Sequence, residues 1–255
     1  MSKKPLGVLI LHGITASLDC VRAIEPPLKA LGLPTCMPVL RGHGGASPEA
    51  MRGVTWHDWV ADGEAALHDL LTEVDKVIII GHSMGGLVTL SLAADHADKV
   101  DSIVLAAAAV QMASPMAPGK PFHFLAPVVS KVLKKWDFPP VYADQSRAQY
   151  NTNYLWAPMD AVVSLLDFSG VVRKRLVEIR TPMLIIQSRK DSSVAPESVD
   201  IIYNQVSTPA EQKRIAWFEN TEHEMFRDCE CDDVVAVIAD YVRERTSMKE
   251  TRIAA

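Results

Sequence analysis

Gly81-His82-Ser83-Met84-Gly85 is the stretch of this chain whose residue types and spacing could do covalent chemistry. It follows Val77-Ile78-Ile79-Ile80, four β-formers, and leads into Gly86-Leu87-Val88-Thr89-Leu90, which reads as a helix. A serine at a sharp strand-to-helix turn sits in strained backbone, and the pattern G-x-S-x-G supplies the close neighbours without side chains that permit it. The turn exposes the Ser83 hydroxyl and places the next backbone N–H groups at a helix start, where the dipole favours negative charge. The chemistry open to such a serine is nucleophilic attack on a carbonyl carbon.

A serine hydroxyl is a weak nucleophile. It needs a base, the base needs an orienting acid, and in this chain order both follow the serine. Three histidines do so: His96, His123 and His223. His96 falls about three turns down the helix that Ser83 leads, so it cannot turn back to the hydroxyl. His123 lies in a proline-rich segment. His223 lies in NTEHEMF, between the last strand pattern and the last helix pattern, and is assigned as the base. For the acid, Asp191 stands just past MLIIQS and before a helix opening at Pro196. It could also serve only as a turn former or helix cap, and Asp167 is a rival. His43 and His82 read as structural, His57 and His68 as surface residues.

The elements that must position these groups alternate. GVLILH (7–12), TCMPVL (35–40), KVIIIG (76–81), SIVLAAA (102–108), MLIIQS (183–188) and RIAWFE (214–219) are continuous apolar runs, as in strands buried on both faces. Helical patterns lie between them at 55–73, 84–96, 196–205 and 232–245. Strand then helix, repeated, predicts an α/β fold: a mainly parallel sheet with helices on both faces. Residues 111–170 break the rhythm with seven prolines, most of the tyrosines and two amphipathic pieces, PFHFLAPVVSKVLKKW and PMDAVVSLLDF. They read as a helical cap inserted into a core of residues 1–110 and 171–255, the alternative being one more helix with a long loop. Phe122, Phe124, Leu125, Trp136, Tyr150, Tyr154, Leu155 and Trp156 are expected there. About half would form the cap's own core and the rest an apolar acyl site, with Asn151 or Asn153 beside the alcohol.

Composition narrows the class. The 255 residues carry a net charge of −5, which gives no electrostatic case for nucleic acid or an anionic membrane. No apolar run approaches the ~20 residues of a membrane span. Four cysteines are too few and too scattered for a disulfide framework, and Cys229-Glu230-Cys231 lacks the further ligands of a metal site.

Several segments in combination resemble the α/β-hydrolase superfamily: LHGITAS, RGHGGASPEAM followed by WHDWVAD, GHSMGG, SRKDSSVAP and IIYNQVSTPAEQKRIAWFENTEHEM. They span positions 11–225 and look most like bacterial carboxylesterases and monoacylglycerol lipases with a small cap. The resemblance implies Ser83, Asp191 and His223 as a triad, with the backbone N–H groups of Ile14 and Met84 as the oxyanion hole. Relatives often carry an antiparallel strand pair before LHG, which this chain reaches almost at once, so about six mainly parallel strands are expected.

The opening MSKKPLGVLILHGITASLDC superficially suits an export signal. Cleavage there would remove the first strand and the His12-Gly13-Ile14 segment that must supply the second oxyanion donor, and a His inside the apolar run is foreign to such signals. The segment is expected to stay and the protein to be cytoplasmic. The reading that follows is a serine carboxylic-ester hydrolase for short-to-medium acyl esters or monoacylglycerols. Its partner is a small-molecule ester, with no cofactor, no metal, no nucleic acid and no stable membrane association. A carbon–carbon bond hydrolase, a perhydrolase or a ligand receptor with a vestigial triad would share the scaffold. Haloalkane dehalogenation in its usual form is excluded, since it needs an aspartate where Ser83 stands.

Overall fold

The computed structural model describes residues 4–117, 119–121 and 132–254, with side chains to Met248. In chain order the elements are β1 (Lys4–Leu11), α1 (Glu25–Ala30), β2 (Thr35–Cys36), α2 (Trp56–Leu70), β3 (Val74–His82), α3 (Met84–Asp95) and β4 (Val100–Ala106). There follow β5 (Lys135–Asp137), β6 (Trp156–Pro158), α4 (Met159–Arg175), β7 (Met183–Ser188), α5 (Glu197–Gln205), β8 (Lys213–Phe218) and α6 (Cys231–Ala254). Six strands form one sheet in the order β2-β1-β3-β4-β7-β8. Every pairing in it is parallel, with Leu9 opposite Ile79, Ile79 opposite Ile103 and Ile103 opposite Met183.

Successive side chains of a strand point to opposite faces, and here both faces are covered. Leu9, Leu11, Val77, Ile79, Ile103 and Ile185 pack with Leu67, Leu87, Phe168 and Val199 from α2, α3, α4 and α5. Their neighbours Val8, Ile10, Ile78, Ile80, Val104 and Ile186 pack with Leu28 of α1 and with Val234, Ile238 and Val242 of α6. This double covering is why the strands read as unbroken apolar runs.

The strand expected over 35–40 pairs with β1 only at Thr35 and Cys36. Pro38 has no N–H to donate to a ladder, and past it the chain leaves the sheet so that the Leu40 N–H meets the ring of His12. Within residues 111–170, β5 and β6 form a separate antiparallel pair with Trp136 opposite Ala157. The second amphipathic piece becomes the start of α4, whose Leu165, Phe168 and Val172 enter the main core. Met51, Ala157, Met159, Ala161 and Val162 make a smaller cluster against which Ile14, Trp136, Phe138 and Tyr154 pack. Phe122, His123, Phe124 and Leu125 lie outside the described residues.

Candidate active site

Ser83 is the hinge between β3 and α3. Its φ of 55° and ψ of −118° are strained for a residue with a side chain, and its neighbours explain how the turn is possible. A Cβ on Gly81 would stand 2.3 Å from the Gly85 carbonyl oxygen, and one on Gly85 would stand 2.3 Å from the Leu11 carbonyl oxygen. Only glycine fits either place. The Ser83 N–H donates to the Ala106 carbonyl at 3.0 Å, and the Ser83 carbonyl accepts from Gly86 at 2.9 Å and Ala109 at 3.2 Å. The backbone of the turn is thereby locked while the side chain stays free to face the cleft.

The loops after β7 and β8 bring Asp191 and His223 to the same carboxyl edge of the sheet. His223 Nε2 lies 3.0 Å from Ser83 Oγ, and His223 Nδ1 lies 2.9 Å from Asp191 Oδ2. Asp191 is buried, and its other oxygen accepts the N–H groups of Ser193 (2.9 Å) and Val194 (2.8 Å). Gln187 of β7 donates from Nε2 to Asp191 Oδ2 at 3.0 Å and to the Val194 carbonyl at 3.2 Å. Burial disfavours the Asp191 charge, but His223 and these N–H donors outweigh it and hold the carboxyl below the usual range. Burial likewise opposes a charged His223, yet Asp191, Glu224 and Glu222 prevail and raise the ring to about 9.

The loop that carries His223 is tied at several points. His82 Nε2 donates to the His223 carbonyl at 2.9 Å. Glu230 accepts the N–H groups of Asn220 and Thr221 at 2.9 and 2.8 Å. Asp228, buried, accepts the N–H of Glu222 at 2.8 Å and those of Ala143 and Asp144 at 2.8 and 3.0 Å.

On the other side of Ser83, the loop after β1 presents Ile14. Among the described residues the N–H groups of Ile14 and Met84 donate to no protein acceptor, and both flank the serine. Two histidines hold that loop. His12 Nε2 accepts the Leu40 N–H at 3.1 Å, which leaves its proton on Nδ1 to donate to the Gly13 carbonyl at 2.9 Å. His43 Nε2 accepts the Thr15 N–H at 3.1 Å, and its Nδ1 faces the carbonyls of Leu40 and Arg41 at 3.1 Å. Burial pushes His12 down to about 3 and lowers His43 as well, so both rings are neutral wiring for the backbone.

A cleft with about 660 Å³ of open space lies over Ser83 and His223, and Asn151, Asn153 and Tyr154 line it. Met112 and Phe138 line both this cleft and an adjoining apolar pocket with about 450 Å³ of space, part of it open to solvent. Trp136 lines only the second. Tyr150 is 66% exposed and Leu155 is exposed, while Trp156 lies beneath the Lys135 ammonium; these three line neither space. Asp167 is exposed on α4. His96 closes α3 at its far end, where it contacts Glu64 at 2.8 Å, and His57 and His68 are exposed. Sequence reasoning passed over Gln187, Glu224 and Asp228. Glu224 could have been flagged as a charge next to the base, whereas Asp228 ties Glu222 of its own loop to Ala143 and Asp144, 85 and 84 residues away, a link that leaves no local signal.

Residues 3–230 match the family described as serine aminopeptidase, S33. The chain belongs to that family. The S33 chain is 30% identical over 222 residues to a thermostable monoacylglycerol lipase of Bacillus sp. (strain H-257), which covers 86% of this chain and 83% of that one. It is 27% identical over 241 residues to a carboxylesterase of Bacillus subtilis (strain 168), covering 93% and 92%. Among solved structures it superposes with a TM-score of 0.85 and 26% identity on a chain from work on the metagenome-derived lipolytic enzymes LipS and LipT, covering 95% of each. Against a soluble variant of monoglyceride lipase from Saccharomyces cerevisiae the TM-score is 0.77 at 16% identity, covering 96% of this chain and 88% of that one. The fold is that of the α/β-hydrolases, with a mainly parallel six-strand sheet flanked by helices. No helix among the described residues is long and apolar enough to cross a membrane.

Proposed function

We propose that this S33-family protein hydrolyses carboxylic esters through an acyl-enzyme on Ser83. The observation that carries the reading is the unbroken line Asp191–His223–Ser83, with contacts of 2.9 and 3.0 Å, under an open cleft. Neutral His223 takes the Ser83 proton at Nε2 as Oγ attacks the ester carbonyl. The negative oxygen that forms accepts hydrogen bonds from the free N–H groups of Ile14 and Met84, the latter reinforced by the start of α3. The imidazolium then gives its proton to the departing alcohol. Water, deprotonated by the same nitrogen, attacks the acyl carbon, and the imidazolium returns that proton to the departing Ser83 Oγ as the acid is released. Protons move only among serine, imidazole, alcohol and water, so the cycle closes without a cofactor.

The substrate class follows from the walls. Met112, Phe138, Leu165 and Val194 give the cleft an apolar side, and the adjoining cavity extends it past Met116, Met159 and Leu166. We read the described lining residues Met112, Phe138, Tyr154 and Leu165 as members of the expected cap, and take short-to-medium acyl chains as the class it serves. The closeness to a monoacylglycerol lipase and a carboxylesterase supports the same class. β1 is an integral strand between β2 and β3, so the opening apolar run is part of the sheet.

The test is kcat/KM on esters of two to sixteen acyl carbons, with Ser83→Ala as control. Each methylene buried is worth about 0.8 kcal/mol, so specificity should climb over the first several carbons and stop where the cavity ends. Ser83→Ala should keep the fold, lose turnover by several orders of magnitude and lose labelling by a fluorophosphonate. Labelling that persists on the variant assigns the nucleophile elsewhere, and a flat profile removes the acyl site described.

A further inference from the structure

The two sides of the cleft differ in chemistry. Asn151, Asn153 and Glu224 line the cleft but not the apolar pocket that adjoins it, and Glu224 directly follows the histidine of the triad line. The amides there are already committed. Asn153 Oδ1 accepts the Ser17 N–H at 3.2 Å, and its Nδ2 donates to Glu224 Oε1 at 3.0 Å. Asn151 Nδ2 donates to the Asn153 carbonyl at 3.2 Å, and its Oδ1 accepts the Tyr142 hydroxyl at 3.4 Å. Asn153 therefore fixes one oxygen of Glu224. The other, Oε2, is buried and has no hydrogen-bond partner among the described residues. A buried polar oxygen without a protein partner is unfavourable, and on a residue that lines a cleft a ligand group or a water can supply the missing partner.

We propose that Glu224 is a specificity-determining residue that reads a free hydroxyl on the alcohol half of the ester, so that the preferred substrates are partial esters of a polyol. The inference rests on the ester-hydrolase reading: with the acyl chain on the apolar side of Ser83, the alcohol half falls on the side of Glu224. A hydroxyl fits this carboxyl in either protonation state. Burial pushes the Glu224 carboxyl up, against the pull of His223 and Arg227. Ionised, Oε2 accepts the hydroxyl proton; protonated, it donates to the hydroxyl oxygen. An ammonium group would satisfy only the ionised form, and a simple alkyl alcohol satisfies neither. Because Asn153 also binds the Ser17 backbone, the carboxyl is held relative to the Ile14 loop as well as to His223.

The experiment compares two esters of one acid, a 1-monoacylglycerol and the propyl ester, on wild type, Glu224→Leu and Glu224→Gln. Wild type should favour the monoacylglycerol by about tenfold in kcat/KM, the scale of one buried hydrogen bond to a hydroxyl. Glu224→Leu should bring the two esters within about threefold of each other, with the extra loss on the monoacylglycerol falling mainly in KM, whatever common change the lost charge beside His223 imposes on both. Glu224→Gln, which keeps a carbonyl oxygen in place, should restore most of the preference. Equal losses on both esters in the variants would mean that Glu224 acts only on His223, and overturn the proposal. So would a wild-type preference below about threefold, a measurement that needs no variant to fold. If wild type turns over neither ester, the ester-hydrolase reading itself fails, an outcome distinct from equal turnover of both.

Discussion

Replacing Asp228 by Asn tests how the base is held without touching the reacting groups. Asp228 Oδ2 accepts the N–H groups of Ala143 and Glu222, both at 2.8 Å. Oδ1 accepts those of Asp144 at 3.0 Å and Cys229 at 2.8 Å. The side chain is 1% exposed, so water cannot take over these donors. Asn keeps the shape but turns one oxygen into an NH₂ group, and whichever way it faces, two backbone donors then meet a donor. Hydrogen bonds to a charged acceptor contribute about 1.5–3 kcal/mol each, so losing two should destabilise by roughly 3–6 kcal/mol. That is a large part of the roughly 5–15 kcal/mol that holds a typical domain folded. At about 2–4 °C per kcal/mol for a chain near this size, Tm should fall by roughly 6–24 °C. Thermal melts followed by circular dichroism measure it, with turnover of a short ester recorded at 25 °C. Since Glu222 precedes His223, kcat should fall in the folded fraction too. A variant melting within about 2 °C of wild type would refute the reasoning, because it would show that residues 143–144 and the histidine loop do not depend on this carboxylate.

Turnover should rise with pH through an ionisation well above the ordinary histidine value of about 6.5, because His223 must be neutral to accept the serine proton and its carboxylate neighbours raise it to about 9. The same shift stabilises the fold fully below the unfolded value of about 6.5, and that contribution is lost as pH climbs through about 9. A kinetic midpoint at or below 6.5 contradicts the field described around the ring. Asp191→Asn should leave a folded protein whose kcat falls by about 10⁴-fold, by analogy with other triads in which the amide fixes the wrong tautomer. Near-normal turnover of that variant would hand the role to another acid such as Asp167.

The parts of the site that lie at strand ends were legible because buried parallel strands announce themselves. Val77–Ile80 fixed the place of Ser83, and MLIIQS fixed the place of Asp191, since a continuous apolar run bounded by polar residues marks where a strand stops. His223 followed from its place in NTEHEMF, between the last strand and the last helix, while His96 lies about three turns down the helix that Ser83 leads. The short β2 was misjudged because TCMPVL has strand composition but Pro38 denies it a ladder. Residues 111–170 were read from composition, and composition does not distinguish the β5–β6 pair from helix when each strand has three residues. Gln187, Glu224 and Asp228 escaped for a different reason. Glu224 and Asp228 act through contacts with residues 143–153, far away in sequence, and Gln187 through Asp191 only four residues on; a polar residue in a strand or loop looks the same whether it faces water or a buried partner.

Residues 142–154 do more than give the cleft Asn151, Asn153 and Tyr154. The Tyr154 N–H donates to the Thr15 carbonyl at 2.8 Å, and Asn153 binds the Ser17 N–H, so this segment grips the loop that presents Ile14. Ala143 and Asp144 bind Asp228, Asn153 binds Glu224, and Arg227 donates to the Tyr150 carbonyl, so the same segment grips the loop that presents His223. One stretch of chain therefore sets the spacing between the proposed oxyanion donor and the proposed base. These grips are polar and directional, whereas the proposed acyl side beyond Phe138 is lined by Met112, Met116, Val162 and Leu166, which pack without directional demands. Polar contacts tolerate little displacement and apolar packing tolerates much. It follows that acyl-chain preference can drift through substitutions at those four positions while the reacting geometry stays fixed, and that changes in residues 142–154 disturb alcohol recognition and rate together.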